Sequence, residues 1–312
     1  MPVNDTKSKH RKKLVLIIAA LSIFVFLVLP VVIILASKET LLGNVAVIKI
    51  NGEIAPEDAG GIFSQGSASS SAISELVEKA DSDPGIKAIL IEINSPGGSA
   101  VASEEIMNSI RKTKKPTVAL IRDVGASGAY WAATGADAIV ASPVSITGSI
   151  GVFSSYLEFS RLMEKYGIGY ERLVAGEYKD IGVPFRNLTG KEREILQGQL
   201  DVVHAYFIKS VSENRNLSEE QVRNVSNGMA YLGIQAKELG LVDELGGKEK
   251  AEEILKQRTN LTKVEFVEFR QEKGFFDALM NAMSRQSFHL GEGIGSALGK
   301  VLTEQQQYGF RT

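Results

Sequence analysis

The sequence contains no cysteine and only three histidines among its 312 residues. Without cysteine the protein can form no disulfide bond, no thiolate nucleophile and no cysteine-ligated metal site. The histidines are His10, His204 and His289; they show no paired spacing of the HExxH kind, and neither His204 nor His289 stands in a recognisable catalytic setting. We therefore expect a protein that works without a metal or another cofactor.

An excess of positive charge is also missing. The protein has 35 Lys and Arg against 37 Asp and Glu, a formal net charge of -2. Proteins that bind nucleic acid usually present a basic surface, so we expect no nucleic-acid partner. The length and the 44% hydrophobic content allow a substantial buried core and one or two domains.

Long hydrophobic runs are absent except near the N-terminus. Residues 14–36 form 23 consecutive residues without a charge, preceded by a basic tail, residues 1–13. At about 1.5 Å per residue this run spans a hydrocarbon core of roughly 30 Å, whereas the apolar region of a cleavable signal peptide is about 7–15 residues long. The run predicts a single-pass transmembrane anchor, and the basic tail before it predicts a cytoplasmic N-terminus and an extracytoplasmic remainder.

After a short stalk, residues 37–44, apolar strands alternate with helices. The strand candidates are VAVIKI (45–50), AILIEI (88–93), TVALIR (117–122) and AIVAS (138–142), and helical patterns follow them up to about residue 167. This order predicts an α/β fold of βαβ units around a mainly parallel sheet. From residue 190 helices dominate, and residues 274–303 form an amphipathic stretch suited to a subunit interface or a membrane surface.

Three turns come at the ends of strands, where α/β folds bind ligands: NSPGGS, DVGASG and SPVSITGSIG. The first, NSPGGS (94–99), contains Gly97 and Gly98, whose amides no side chain obstructs. It is either a plain strand-to-helix turn with Ser99 as helix cap or a pocket of N–H donors for an anion. The order GxxxxGK[ST] is absent, so it is not a P-loop.

The second turn, DVGASGAYWA (123–132), sets Ser127 between a buried strand and a helix, among small residues. Spacing alone favours a helix cap, but a nucleophile on a sharp bend is the alternative. A nucleophilic serine needs a base, and lysine is the residue type that remains. Lys179 in AGEYKDIGVPF has apolar neighbours that could lower its pKa, while Asp180 would raise it unless its carboxylate points away.

The segments AILIEINSPGGS, GASGAYW, TGSIGV and AGEYKDIGVPFRNLT, in this order, resemble the signal peptide peptidase A family of bacterial membrane serine proteases. The likeness runs from about residue 45 to about residue 260 and is strongest to the short, single-repeat form with an N-terminal anchor. It implies a ClpP/crotonase-like fold of repeated ββα units and a Ser-Lys dyad. Ser127 then corresponds to the nucleophile, Lys179 to the general base and Ser149 to the hydroxyl that orients the lysine.

The same resemblance implies an oxyanion hole formed by the amides of Gly98 and Gly128, with Gly97 and Ser99 beside the substrate. One departure is Ala129, where many relatives have glycine; its methyl group could narrow the groove. The expected substrates are peptides, cleaved signal peptides above all. The family also assembles into dome-like rings, in which neighbouring subunits can complete each dyad.

Together these expectations divide the protein into the tail 1–13, the anchor 14–36, the stalk 37–44, a protease domain over 45–262 and a C-terminal extension over 263–312. Two other function classes stay open at this stage. The crotonase-like fold also houses acyl-CoA enzymes, and a protein of this family could be a catalytically inactive membrane scaffold. The presence of both Ser127 and Lys179 favours the peptidase.

Overall fold

The computed structural model describes residues 43–57 and 67–270, together with the single position 17. Within these residues the protein has a mixed α/β fold. The strands are β1 (Val45–Asn51), β2 (Ile54–Ala55), β3 (Ala68–Ser69), β4 (Ala88–Ser95), β5 (Thr117–Ala126), β6 (Ala138–Ala141), β7 (Ile146–Gly148), β8 (Ala230–Leu232), β9 (Glu244–Leu245) and β10 (Phe266–Glu268). The helices are α1 (Ser70–Ser82), α2 (Ala100–Arg111), α3 (Gly128–Ala133), α4 (Ser160–Lys165), α5 (Gly190–Arg215), α6 (Glu219–Asn224), α7 (Gly233–Glu238) and α8 (Lys248–Thr259).

The main sheet has the strand order β10-β1-β4-β5-β6-β9, and every neighbouring pair in this order is parallel. β7 extends the sheet beside the end of β5, and β8 pairs with β7 in the antiparallel direction. The centre of the sheet is buried on both faces, which explains why β4 begins with the uninterrupted apolar run Ala88–Ile91. The prediction of a mainly parallel α/β sheet is confirmed.

Strand register brings the three turns to one edge of the sheet. Ser95 of β4 pairs with Gly125 of β5, and Ala126 pairs with Gly148 of β7. The strands β4, β5 and β7 are adjacent and parallel, and they therefore end at nearly the same height in the sheet. The turns that follow these strands begin at residues 96, 127 and 149, and they meet at the carboxyl edge where ligands bind in α/β folds.

Residues 151–189 lie outside the core. None of them is buried, and their one helix, α4, is shorter than the helix that the pattern YLEFSRLMEKYG predicts. Many of their large apolar side chains are exposed, Phe153, Leu157 and Leu173 among them. The segment ends at α5, which begins after a capping box formed by Thr189 and Glu192.

Several predicted regions fall on residues outside the described part. These are the tail 1–13, the anchor 14–36 apart from position 17, the stalk up to residue 42 and the amphipathic stretch 274–303. Among the described residues, no helix has both the length and the apolar character needed to cross a bilayer. β10, which follows the predicted domain boundary at residue 262, pairs with β1 as an edge strand of the main sheet.

Candidate active site

Ser127 stands between β5 and α3 with an unusual backbone conformation. Its φ is 53° and its ψ is −126°, a region that residues with a side chain rarely occupy. The hydrogen bond from its N–H to the carbonyl oxygen of Gly148, 2.8 Å long, holds it there. Ser127 takes the N-cap position of α3 that spacing favoured, but its side chain makes no capping hydrogen bond. Strain of this kind costs about 1–3 kcal/mol and is typical of functional sites.

Glycines surround Ser127 because no side chain fits beside it. A Cβ on Gly97 would lie 2.7 Å from the amide nitrogen of Gly128, and φ at Gly97 is +103°. A Cβ on Gly98 would lie 2.1 Å from the carbonyl oxygen of Ile54, and one on Gly128 would lie 2.2 Å from Ser103 Oγ. The turn NSPGGS and the Ser127 turn are therefore in direct backbone contact.

Two backbone amides remain available at this contact. In the turn after β4, Gly97 N–H donates to Ser95 Oγ and Ser99 N–H donates to the carbonyl oxygen of Ile54. Neither Gly98 N–H nor Gly128 N–H donates to an acceptor within residues 43–57 and 67–270. A pair of adjacent, free N–H groups next to a serine hydroxyl is the arrangement that stabilises an oxyanion in acyl transfer.

Ser149 is the third strand-end serine and has a similar backbone. Its φ is 52°, its N–H donates to the carbonyl oxygen of Met229 over 3.0 Å, and its Oγ donates to the carbonyl oxygen of Gly228 over 3.1 Å. These bonds tie the turn after β7 to the segment before β8. Ser149 is thereby held in the cavity that also contains Ser127.

The cavity at this edge has a volume of about 770 Å³. Its lining is formed by Glu53, Pro96, Gly97, Gly98, Ser127, Ser149, Gly151, Val152, Phe153, His204, Ser226, Asn227 and Gly228. Ser99 is not among these residues; it stands at the N-cap position of α2 and makes no capping bond. Sequence reasoning missed Glu53, His204 and the turn 226–228, because each reaches the cavity from a distant part of the sequence and no local pattern marks them.

Lys179, like Ser99 and Gly128, is a predicted site residue that does not line this cavity. It is exposed, in a turn where its N–H donates to the carbonyl oxygen of Gly176. The apolar pocket expected around its amine is not formed by the described residues of one subunit. The physical reason is that its apolar neighbours are themselves on the surface, with Tyr178 and Phe185 both exposed.

Asp180, the residue after Lys179, is paired with two arginines. Its carboxylate accepts hydrogen bonds from Arg172 at 2.7 and 2.8 Å and from Arg186 at 3.0 and 3.1 Å. Arg186 also donates to Glu192, the third residue of α5 and the acidic member of its capping box. These bonds hold the pKa of Asp180 well below its usual range and lower the pKa of Glu192 to about 2. The carboxylate of Asp180 is thus paired with Arg172 and Arg186.

The residues after Ser127 hold α3 in the core. Tyr130 is buried and its hydroxyl donates to the carbonyl oxygen of Leu241 over 2.9 Å, and the Trp131 ring stacks on Phe207 of α5 with 4.4 Å between ring centroids. The prediction that these two aromatic residues pack behind the serine is confirmed. Ala129 is fully buried, so its methyl group points into the core and does not narrow the groove.

A protein-family model, "Peptidase family S49", matches residues 109–262, a range that includes Ser127, Ser149 and Lys179. The sequence is 38% identical over 246 residues to "Putative protease MJ0651" of Methanocaldococcus jannaschii, covering 78% of this protein and 76% of that one. It is 32% identical to "Putative signal peptide peptidase SppA" of Enterococcus faecium, covering 72% and 66% of the two proteins.

The protein belongs to peptidase family S49. Membership supports the class of serine peptidase and bears out the family resemblance found in the sequence. The sequence is also 34% identical to "Protease 4" of Haemophilus influenzae, where it matches 36% of that protein's length. Among solved structures, a ClpP1 mutant from Listeria monocytogenes matches 64% of this protein and 91% of that structure with 17% identity and a TM-score of 0.43, a likeness too low to support a conclusion.

Proposed function

We propose that this S49 peptidase is a serine endopeptidase in which Ser127 is the nucleophile. The observation that carries the proposal is the backbone of Ser127, strained at φ 53° and directed to a cavity rather than to a helix cap. The free amides of Gly98 and Gly128 beside it support an oxyanion hole. Together they supply two of the three parts that acyl transfer needs, the third being a base.

In the proposed mechanism Lys179 is that base. Ser127 Oγ attacks the scissile carbonyl carbon while its proton passes to the neutral lysine amine, and the resulting oxyanion accepts hydrogen bonds from the two glycine amides. The lysine then gives the proton to the leaving amine, the C–N bond breaks and an acyl-enzyme remains. Water then attacks the ester carbonyl carbon while losing a proton to Lys179, and the lysine returns that proton to Ser127 Oγ as the C–O bond breaks and the carboxylic acid product leaves. Ser149 orients the amine in this scheme.

Because Lys179 is exposed and lies outside the cavity, we propose that the dyad is completed between neighbouring subunits. The segment 151–189 that carries Lys179 has no buried residue and exposes many apolar side chains. Packing against a second copy would bury these side chains and desolvate the amine, which lowers a lysine pKa. We also propose that the fold is ClpP/crotonase-like and that the subunits assemble into a ring or a dome.

The proposed substrates are cleaved signal peptides and other unfolded segments. Two lines of support are the names of relatives such as the Enterococcus protein and the predicted anchor over residues 14–36, which would hold the protease domain at the membrane. Small cavity residues such as Gly97, Gly151 and Val152 suit small or medium apolar side chains. An extended peptide would bind there by main-chain hydrogen bonds.

The test is hydrolysis of casein and of a fluorogenic peptide with a signal-peptide sequence. Wild type should cleave both, while Ser127→Ala and Lys179→Ala should each lower kcat by about 10³-fold or more. Matched controls are Ser155→Ala and Lys165→Ala, an exposed serine and lysine of the same segment, which should keep full activity. Undiminished hydrolysis in either site variant would contradict the dyad, and CoA-thioester binding without hydrolysis in wild type would favour an acyl-CoA enzyme.

A further inference from the structure

Glu53 is an acidic residue of the cavity that the proposed dyad does not use. It stands between β1 and β2, is exposed to solvent and lines the same 770 Å³ cavity as Ser127 and Ser149. Among the described residues that line the cavity, Glu53 has the only acidic side chain, and none of them is a lysine or an arginine. Glu53 therefore gives this cavity a negative charge.

The backbone that carries Glu53 is paired along both of its edges. On one edge, Ile54 N–H donates to the carbonyl oxygen of Gly97 over 2.8 Å, and the carbonyl oxygen of Ile54 accepts from Ser99 N–H over 2.9 Å. On the other edge, the carbonyl oxygen of Glu53 accepts from Ala68 N–H over 2.8 Å. Side chains alternate along an extended backbone, and the side chain of Ile54 is buried. The side chain of Glu53 therefore points outward, on the face open to solvent and to the cavity.

Glu53 and Ser149 lie on opposite sides of the nucleophile. Ile54, the residue after Glu53, contacts Gly98 in the turn that follows β4, and β4 pairs with one edge of β5. β7, which leads into Ser149, pairs with the other edge of β5, and Ser127 follows β5 between them. The proposed base, which Ser149 orients, is thus on the far side of Ser127 from the Glu53 carboxylate. This separation matters because a nearby carboxylate would raise the pKa of the lysine amine.

The carboxylate of Glu53 has no partner among the residues that the structure describes. It forms no hydrogen bond or ion pair with residues 43–57 or 67–270, whereas Asp180 and Glu192 are both paired with arginines. A carboxylate in this position attracts the side chain of a lysine or arginine and repels that of an aspartate or glutamate. Both effects contribute to the discrimination between substrates.

The distance from Glu53 to the oxyanion turn sets which substrate positions it reaches. Ile54 and Gly98 are bridge partners. Paired strands lie about 4.8 Å apart and successive Cα atoms about 3.8 Å apart, so the Cα of Glu53 is within about 9 Å of the Cα of Gly98. This is about the length of three residues of an extended peptide.

We infer that Glu53 determines a charge preference, selecting peptides with a lysine or arginine within about three residues of the scissile bond and disfavouring acidic residues there. The inference rests on the proposed peptidase function. It adds a cationic position to the small and medium apolar side chains that the rest of the cavity suits.

The test is hydrolysis of fluorogenic signal-sequence peptides by the full-length protein in detergent. Lysine, norleucine and glutamate are placed in turn at each of the three positions on either side of the cleaved bond, and the cleaved bond is checked by mass spectrometry. At one or two positions, wild type should hydrolyse the lysine peptide with a kcat/KM about tenfold above that of the glutamate peptide, with norleucine between them. At an ionic strength of about 1 M, where the Debye length is about 3 Å, this ratio should shrink.

Substitutions at Glu53 should change the ratio between peptides, which a merely structural role would not do. Glu53→Gln should bring the lysine-to-glutamate ratio close to one, and Glu53→Lys should invert it. The matched control is Glu57→Gln, at an exposed carboxylate that does not line the cavity, and it should keep the wild-type ratio. The salt dependence is measured on wild type and requires no variant to fold.

The outcomes distinguish this inference from the proposed function. If wild type hydrolyses all the peptides with equal kcat/KM, or if Glu53→Gln keeps the wild-type ratio, the inference is overturned and the peptidase function stands. A uniform loss of activity in both Glu53 variants, with the ratio unchanged, also overturns it. If wild type hydrolyses none of the peptides, the proposed function fails and this inference fails with it.

Discussion

At the residue scale, the site depends on backbone conformations that the sequence only partly predicts. The small residues around Ser127 predict a tight turn, and this is what the structure has. Spacing favoured a helix cap, however, and only the φ of 53° and the missing capping bond show that the hydroxyl is free for another role. Such a conformation is imposed by neighbouring strands, here through the bond to Gly148, and leaves no local pattern.

The surroundings of Lys179 are a second feature that the sequence does not predict. Apolar neighbours in sequence predicted a pocket, but burial depends on what packs against a segment and not on its composition. Ile181 and Val183 are only half-buried, and Tyr178 is exposed. The family resemblance led to the proposal of Lys179 as the base, whereas the surroundings of its amine could not be predicted from the sequence.

Gly98 provides a residue-scale prediction. In Gly98→Ala the new Cβ would lie 2.1 Å from the carbonyl oxygen of Ile54, so the turn must move and its amide with it. We expect kcat to fall by about 10²–10³-fold, the effect of losing one oxyanion donor. The control is Gly198→Ala, at a helical glycine with open space around it, where activity should not change. Equal activity of the two variants in a peptide-hydrolysis assay would contradict the oxyanion hole.

At the scale of elements, helices and buried strands follow well from the sequence. From residue 190 the sequence predicts helices, and α5 occupies Gly190–Arg215, where a capping box begins the helix and Asn216 ends it in a left-handed conformation. The short strands β2, β3, β7, β8 and β9 were not predicted. Each has two or three residues and is defined by its pairing partner rather than by its own periodicity.

The contact between α3 and α5 gives a stability prediction. Phe207 is buried and stacked on Trp131, so Phe207→Ala leaves a cavity behind the nucleophile. We expect the free energy of unfolding to fall by about 3–5 kcal/mol in urea denaturation. Val202→Ala, at a side chain that is 71% exposed on the same helix, should change it by less than about 0.5 kcal/mol. A similar, small loss in both variants would show that the stack does not hold α3.

The ion pairs before α5 give a pH prediction. The pKa of Glu192 is lowered to about 2 by Arg186, below the value of about 4.3 in an unfolded protein. The ionised Glu192 side chain therefore makes its full contribution to stability above the unfolded pKa. This contribution is lost as the pH falls from about 4 to about 2. Glu192→Gln keeps the capping geometry without the charge, so its stability should be lower at pH 7 and fall less over that interval.

The measurement for this pair is urea unfolding at a series of pH values between about 2 and 7. Glu194→Gln, at an exposed carboxylate two residues later, is the matched control and should follow the wild-type pH dependence. If Glu192→Gln retains the wild-type loss of stability between about pH 4 and pH 2, the ion pair with Arg186 does not stabilise the protein.

At the scale of the whole molecule, the cavity beside Ser127 is formed by the described residues of one subunit. Lys179, the proposed base, lies elsewhere on the surface of that subunit. This separation is the reason to expect an assembly in which the exposed turn that carries Lys179 in one subunit serves the cavity of the next. A repeating contact of this kind is heterologous, with a different surface on each side, and it gives a closed ring when the rotation between neighbouring subunits completes a full turn.

Mixing two inactive variants tests this arrangement. If Ser127 and Lys179 of one site come from different subunits, Ser127→Ala and Lys179→Ala proteins reassembled in equal amounts should recover about one quarter of wild-type activity. The expected quarter is the chance that a subunit with an intact Ser127 lies beside one with an intact Lys179. A mixture as inactive as its components, with subunit exchange verified by mass, would mean that each dyad lies within one subunit.

The central claim, that Ser127 is the nucleophile, is tested most directly by covalent labelling with a fluorophosphonate, a reagent that reacts with activated serines. Peptide mapping by mass spectrometry should find a single adduct, on the peptide that contains Ser127, and Ser127→Ala should remain unlabelled. An adduct on another serine, or undiminished labelling of Ser127→Ala, would contradict the account.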